Sequence, residues 1–143
     1  MLNEVKLDFL GISQNESFAR GVVANFVSQC DVTIEQLSDI KTAVSEAVTN
    51  AIVHGYKGTT GMVTLACRLY SSNDRFTKTL EIAISDNGIG ISNVEKAREP
   101  LFTTQPEMER SGMGFTVMET FMDDVTVRSA PKCGCIVTMR KTL

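Results

Sequence analysis

The chain of 143 residues has little of what several common classes of protein require. It contains one histidine, three prolines and no tryptophan, and its net charge is −3 with no basic cluster. No apolar run approaches the roughly 20 residues of a membrane-spanning helix. The start, MLNEVKLDF, lacks the basic and apolar parts of a secretory signal. We therefore expect a cytoplasmic protein with no membrane partner and no direct nucleic-acid partner.

The cysteines give no sign of a metal or redox site. Cys30 and Cys67 stand alone, and Cys133 and Cys135 form a C-x-C rather than the C-x₂-C of common zinc sites. The single histidine, His54, cannot complete a set of four ligands. The sequence predicts four reduced thiols.

The composition, 43% hydrophobic and 22% charged, is that of a globular protein, and the length favours a single domain spanning 1–143. Periodicity and turn signals predict the order βααββ(α)-loop-αββ. This order favours an α+β fold, a two-layer α/β sandwich in which helices cover one face of an antiparallel or mixed, mostly antiparallel, sheet.

Two capping boxes, Ser13 with Glu16 and Thr33 with Gln36, predict the starts of the first two helices, which should end near Gln29 and at Gly55. Their expected buried positions are Phe18, Val22, Phe26 and Val27 in the first helix, and Ile34, Leu37, Ile40, Val44, Val48 and Ala51 in the second. The remaining predicted elements are an initial strand in VKLDFL, alternating strands through Val63–Leu69 and Leu80–Ile84, a short helix at Asn93–Arg98, a long loop at 99–111, a helix at Gly114–Met122, and a hairpin of Val125–Ser129 with Cys135–Arg140.

The second predicted helix carries a polar pair off its buried stripe. Glu46 and Asn50 are four residues apart and therefore lie one turn apart on the same face. Taken alone, such a pair is typical of a solvated helix face.

The pentapeptide DNGIG, Asp86–Gly90, directly follows a predicted strand. Asn-Gly is a common hairpin turn, yet the following ISNVEKAR has a helical rather than a strand pattern. The alternative is a nucleotide-base pocket. There, the Asp86 carboxylate would accept a hydrogen bond from an exocyclic amine, and the glycines would let backbone approach the ring.

The segment RSGMGF, Arg110–Phe115, places two glycines at the start of a helix, where unpaired N–H groups favour an anion. A G-x-G alone is weak evidence for a ligand. The chain lacks G-x-x-x-x-G-K-[ST] and G-x-G-x-x-G, so a phosphate site here would be of another type.

EAVTNA, DNGIG and RSGMG together resemble the GHKL family, the Bergerat-fold ATPases and kinases. With SQNESFAR, SEAVTNAIVHGY, EPLFTT, ERSGMGF and MDDV, nearly the whole chain is similar to the sporulation anti-sigma factors. The resemblance implies a serine kinase that uses ATP and Mg²⁺, binds a sigma factor of the sigma-F type, phosphorylates an anti-anti-sigma protein and forms a homodimer.

The resemblance also implies roles for individual residues. Asn50 matches the asparagine that coordinates Mg²⁺, and Glu46 matches the general base. A carboxamide oxygen suits a hard cation, and a carboxylate one turn away can take a proton from an incoming hydroxyl. Asp86 matches the residue that reads adenine. The remaining implied ATP-binding residues are Gly88, Gly90, Thr103, Thr104, Arg110, Ser111, Gly112, Met113 and Gly114, with 99–111 as a lid over the phosphates.

Three positions keep simpler alternatives. Arg110 fits a solvated arginine in a loop as well as a phosphate contact. Arg20 pairs with Glu16 at i, i+4, which fits a surface ion pair as well as a contact with a protein partner. Cys135 stands where the family usually has a threonine that supports adenine binding, and a thiol is a weaker hydrogen-bond partner.

Other functions of the whole chain stay open beside the kinase. A nucleotide-gated binding protein would keep the ATP site without catalysis, although it would have no need of a base such as Glu46. An ATP-hydrolysing switch would need further domains to couple hydrolysis to motion. A stress-response anti-sigma kinase is the nearest alternative.

Overall fold

The computed structural model describes residues 1–55, 60–88, 114–129 and 134–143. Their elements, in chain order, are β1 Asn3–Leu10, α1 Gln14–Val27, α2 Ile34–Asn50, β2 Met62–Ser71, β3 Lys78–Asp86, α3 Gly114–Phe121, β4 Asp124–Ser129 and β5 Cys135–Thr142. A five-residue π-helix, Ala51–Gly55, continues α2. The predicted helix at Asn93–Arg98 and the loop at 99–111 lie outside the described residues.

The five strands form one sheet in the order β1-β2-β3-β5-β4. Each neighbouring pair is antiparallel, so the described sheet is the antiparallel one of the two predicted alternatives. The α+β prediction is confirmed. The central strand β3 ends at Asp86, whose neighbours in register are Val63 of β2 and Cys135 of β5.

The core lies between the sheet and the helices. Alternate residues of the central strands, such as Leu65, Ile82 and Met139, are fully buried, and they face the buried stripe of α2, which includes Val44 and Val48. Burying an aliphatic side chain of this size contributes about 1.5 to 3 kcal/mol. The predicted alternation along β2 and β3 is therefore confirmed, and the same burial fixes the direction of the polar side chains between the core positions.

The two predicted helix starts have different outcomes. Thr33 and Gln36 form the complete capping box, with both hydrogen bonds at 3.0 Å. The Ser13 capping box is wrong, because Ser13 has helical dihedral angles and its side chain makes no capping hydrogen bond. The Glu16 backbone N–H donates instead to the Ser13 carbonyl at 3.2 Å.

Two residues assigned to buried stripes are exposed. Phe18 retains 58% of its accessible surface and Ile34 retains 89%. Helical periodicity identifies the face of a helix but not how much of that face another element covers. Both residues lie outside the arc that their helix buries, which runs through Val23 in α1 and Ile40 in α2. Among the described residues no element covers them.

The open face of the sheet carries a row of alternating charges, one from each strand. In the spatial order of the strands the row is Glu4, Arg68, Glu81, Arg140 and Asp124. Successive charged atoms are 2.5, 3.1, 2.9 and 3.3 Å apart. This row, called the charge ladder below, joins all five strands through side chains.

Candidate functional site

The site is built around the last two turns of α2. Ala47 and Val48 are buried in the core, so the polar side chains on either side of them, Glu46 and Asn50, are directed away from it. Glu46 and Asn50 are both partly exposed and lie one turn apart. The predicted placement of this pair off the buried stripe is confirmed.

The start of α3 lies directly against this pair. A methyl group on Gly114, the first residue of α3, would be 3.1 Å from Asn50 Nδ2, 3.3 Å from Asn50 Oδ1 and 3.4 Å from Glu46 Oε2. The fold therefore brings a carboxylate, a carboxamide and the amino end of a helix to one place. Unpaired N–H groups at a helix start carry a partial positive charge that favours an anion.

The helix that carries the pair changes character just beyond it. Ala51–Gly55 forms a π-helix, which contacts β3, so the helix reaches the predicted stop at Gly55 by a wider turn. Isolated π-turns inside or at the end of α-helices are frequent at functional sites.

Asp86 lies at the end of β3 and is 7% exposed, which makes it the one buried charged residue in the described part of the chain. Its Oδ1 accepts a hydrogen bond of 2.8 Å from the Gly88 backbone N–H. Burial raises the pKa of this carboxyl, and the Gly88 hydrogen bond partly opposes that rise. A buried carboxylate that accepts one hydrogen bond from the described residues is suited to accept another from a ligand.

Cys135 lies beside Asp86 in the antiparallel register of β3 and β5. Burial and the nearby Asp86 charge raise the pKa of the Cys135 thiol to about 11, although a hydrogen bond with Ser129 opposes the rise. The thiol is therefore protonated at neutral pH, and it is a weak hydrogen-bonding group rather than a nucleophile.

Ser129, the last residue of β4, and Gly134, which directly precedes β5, were not among the predicted site residues. Ser129 Oγ donates to the Gly134 carbonyl oxygen at 2.7 Å. The only available signal was the glycine between two cysteines in CGC, and it does not reveal which strand that glycine would approach.

Arg20 lies on α1 and reaches α2. Its Nη1 is 3.4 Å from Glu16 Oε1, which confirms the predicted ion pair, and it donates to Ser45 Oγ at 3.2 Å. Arg20 lines a groove of about 330 Å³ together with Lys41 and the apolar Ile34. The groove therefore combines positive charge with apolar surface.

The remaining predicted ATP-binding residues cannot be placed by the structure. Those outside the described residues are Gly90, Thr103, Thr104, Arg110, Ser111, Gly112 and Met113. Over the ranges that are described, no three His, Cys, Asp or Glu side chains cluster as a metal site, and no helix has the length and hydropathy to cross a membrane. The predicted site residues that the structure describes are Glu46, Asn50, Asp86, Gly88 and Gly114.

Comparisons with known proteins identify the family of this chain. Residues 14–141 match the histidine kinase-like ATPase domain family. The chain is 52% identical over 143 residues to an anti-sigma F factor of Bacillus velezensis, covering all of this chain and 94% of the relative. It is 54% identical over 139 residues to one of a Thermoanaerobacter species, covering 97% of this chain and 93% of the relative.

A solved structure supports the fold independently. A chain in the SiaB–SiaC complex from Pseudomonas aeruginosa superposes with a TM-score of 0.50 at 15% identity, covering 96% of this chain and 89% of that one. At this identity the likeness concerns the fold alone. From the family match and the curated relatives, the chain belongs to the histidine kinase-like ATPase domain family and, within it, to the anti-sigma F factor family.

Proposed function

We propose that this protein is an Mg·ATP-dependent serine kinase that inhibits a sporulation sigma factor of the sigma-F type and inactivates an anti-anti-sigma protein by phosphorylation. The family assignment supports ATP use and the anti-sigma role. The observation that carries the kinase proposal is the contact of Gly114 with both Glu46 and Asn50. A carboxylate, a carboxamide and a helix start lie close together there, which supports a site that would take up a proton and hold a metal ion.

Bound Mg·ATP would supply the γ-phosphoryl group and a cation to neutralise its charge. The Asn50 carboxamide would hold Mg²⁺, because hard cations prefer oxygen ligands and Mg²⁺ is commonly held by few protein groups together with substrate phosphates. The amino end of α3, beginning at Gly114, would stabilise phosphate oxygens. These donors suit the metal and the nucleotide.

Glu46 would act as the general base that takes the proton from the incoming serine hydroxyl. Such a base contributes typically 10²- to 10⁴-fold to the rate. Its position one turn from Asn50 keeps the acceptor next to the phosphate-binding groups.

Asp86 would recognise adenine. Oδ1 is engaged by the Gly88 N–H, and the carboxylate can accept a further hydrogen bond from the exocyclic amine of the base. The burial of Asp86 strengthens such an interaction, because water competes less for the carboxylate.

The groove beside Arg20 would contact protein partners. Arg20 and Lys41 supply positive charge, and Ile34 supplies an exposed apolar side chain. Such a surface fits an acidic and apolar partner. We further propose that the protein is a homodimer, which rests on the resemblance to this family, and that it acts in the cytoplasm as a single domain, which rests on its composition and length.

The experiment is intact-mass spectrometry of the anti-anti-sigma protein from the same genome, incubated with Mg·ATP and this protein. We expect a gain of one phosphate, with the rate falling at least about 100-fold for Glu46→Gln. Glu35→Gln is the matched control, because Glu35 is exposed in the first turn of the same helix.

The principal alternative is a nucleotide-gated sigma-binding protein without kinase activity. It would bind ATP saturably yet leave the substrate mass unchanged. If phosphate were gained at the wild-type rate with Glu46→Gln, Glu46 would not be the base. The sigma factor that co-purifies separates a sporulation role from a stress-response role.

A further inference from the structure

The connection entering β5 makes an unusually close approach to the end of β3. Gly134 has a φ of +78°, in the left-handed region that side chains rarely adopt. A Cβ at this position would overlap the Asp86 carbonyl oxygen and lie 2.9 Å from Asn87 Cα. The backbone at 134 therefore packs against the backbone of Asp86 and Asn87, with no room for a side chain.

The close approach is held from the other side by Ser129, the last residue of β4. Its hydroxyl donates to the Gly134 carbonyl oxygen at 2.7 Å. Ser129 is also opposite Cys135 in the β4–β5 register and hydrogen-bonds its side chain. Gly134 is thus fixed between β4 and the end of β3.

The orientation of the Asp86 carboxylate depends on the same short stretch of backbone. Oδ1 accepts its hydrogen bond from the Gly88 N–H, two residues along, so the path of the backbone through Asn87 sets the direction of the carboxylate. A displacement of the Asp86 carbonyl group would rotate the turn from Asp86 to Gly88. It would thereby move Asp86 Oδ2, the oxygen that would face a ligand. Hydrogen bonds weaken steeply with misalignment.

We propose that Gly134 and Ser129 are positioning residues that orient the Asp86 carboxylate toward the 6-amino group of a bound purine. This inference rests on the proposed function and adds the source of its base selectivity. Neither residue would touch the nucleotide, and both would act through the backbone at Asp86 and Asn87. Variants at these two positions should lose the ability to distinguish a purine with a 6-amino group from one without it. They should keep their affinity for the triphosphate.

The test compares the dissociation constants of ATP and of purine riboside triphosphate, which lacks the 6-amino group, by isothermal titration calorimetry. A hydrogen bond to a charged acceptor predicts a wild-type preference for ATP of about 10- to 100-fold. For Gly134→Ala we expect this ratio to fall below about 3, with the purine riboside triphosphate constant within about 3-fold of wild type. Gly21→Ala is the matched control, because a Cβ at Gly21 meets nothing within 4 Å.

A second pair of variants covers the case in which Gly134→Ala fails to fold. Ser129→Ala removes the hydrogen bond to Gly134 and should lower the ATP preference several-fold, while Ser129→Thr keeps a hydroxyl and should restore it. If Ser129→Ala keeps the wild-type ratio, or if Gly134→Ala weakens both ligands equally, the positioning role is overturned.

Asp86→Asn separates this inference from the function on which it rests. If Asp86→Asn abolishes the ATP preference and Gly134→Ala does not, base recognition stands and the positioning role fails. If Asp86→Asn keeps the preference, Asp86 does not read the base, and both the base recognition and the positioning role fall. The proposed phosphoryl transfer through Glu46 is tested independently by substrate mass.

Discussion

Two carboxylates of β3, Glu81 and Asp86, occupy opposite faces of the sheet in opposite electrostatic settings. Glu81 lies in the charge ladder, where Arg68 and Arg140 approach its two oxygens at 3.1 and 2.9 Å. Asp86 is more deeply buried and accepts, among the described residues, one backbone hydrogen bond. Within the described part of the chain, two arginines therefore balance the charge of Glu81, whereas no cation pairs with Asp86.

The different surroundings of Glu81 and Asp86 suit them to different roles, one in stability and the other in ligand binding. A carboxylate paired with two arginines holds neighbouring strands together, and its charge is already balanced without a ligand. A buried carboxylate without a cation destabilises the folded state, and it persists where a ligand completes its hydrogen bonding. Asp86, rather than the carboxylates of the ion pairs, is therefore the candidate ligand-binding group among the described residues.

Of the substitutions that test this comparison of Glu81 with Asp86, Asp86→Asn should have the largest effect. The amide places an N–H₂ where the carboxylate would accept from adenine, so ATP affinity should fall about 10- to 100-fold. The free energy of unfolding should stay the same or rise, because a buried charge is removed. Calorimetry and urea unfolding check the two parts, and wild-type ATP affinity in the variant would contradict the prediction.

Glu81→Gln should show the reverse pattern with a smaller effect. Loss of the charge weakens both ion pairs to Arg68 and Arg140, so the free energy of unfolding should fall by about 1 to 2 kcal/mol. ATP affinity should remain within about twofold of wild type. Urea unfolding is the measurement, with Glu35→Gln as the exposed control. A large loss of ATP affinity would show that the two faces are coupled.

The smallest expected effect is in the pH dependence of stability. The hydrogen bond from Arg68 lowers the pKa of Glu4 in the folded state, so the stability from Glu4 is present above its unfolded pKa and is lost as pH falls through the folded pKa. The raised pKa of Asp86 acts oppositely: stability decreases as pH rises from its unfolded to its folded pKa, and the decrease persists at neutral pH.

Two variants resolve these opposing contributions in urea unfolding between pH 3 and pH 7. Any stability advantage of Asp86→Asn over wild type should shrink as the solution is acidified through the folded pKa of Asp86. The disadvantage of Glu4→Gln should shrink as the pH falls through the folded pKa of Glu4. A stability difference for either variant that did not vary with pH would contradict the assigned pKa directions.

Local patterns predicted much of the fold. The alternation in β2 and β3 and the Thr33–Gln36 capping box depend on residues close in sequence, and both are confirmed. Ser13 matched an equally good capping pattern and is wrong, because capping geometry also depends on how the chain enters the helix. Ile34 is wrong because it lies off the arc that α2 buries. Nor did the sequence indicate that β5 lies between β3 and β4.

The site was predictable only in part for a similar reason. Glu46 and Asn50 share a helical face that spacing alone reveals, and the resemblance connected them with Asp86 and Gly114. The approach of Gly134 to Asp86 was not predictable, because it follows from the register of two strands separated by nearly fifty residues. Residues 89–113 lie outside the described structure, so the lid contacts stay predictions.

The charge ladder has a consequence for aggregation. Because five charges alternate across five strands, both ends carry the same sign: Glu4 on edge strand β1 and Asp124 on edge strand β4. Two copies that met edge to edge at this row, by either edge, would bring two carboxylates together. Exposed edge strands are templates for unwanted pairing, and like charges there oppose it. An odd number of strands therefore leaves the same repulsive charge at both open edges of the sheet.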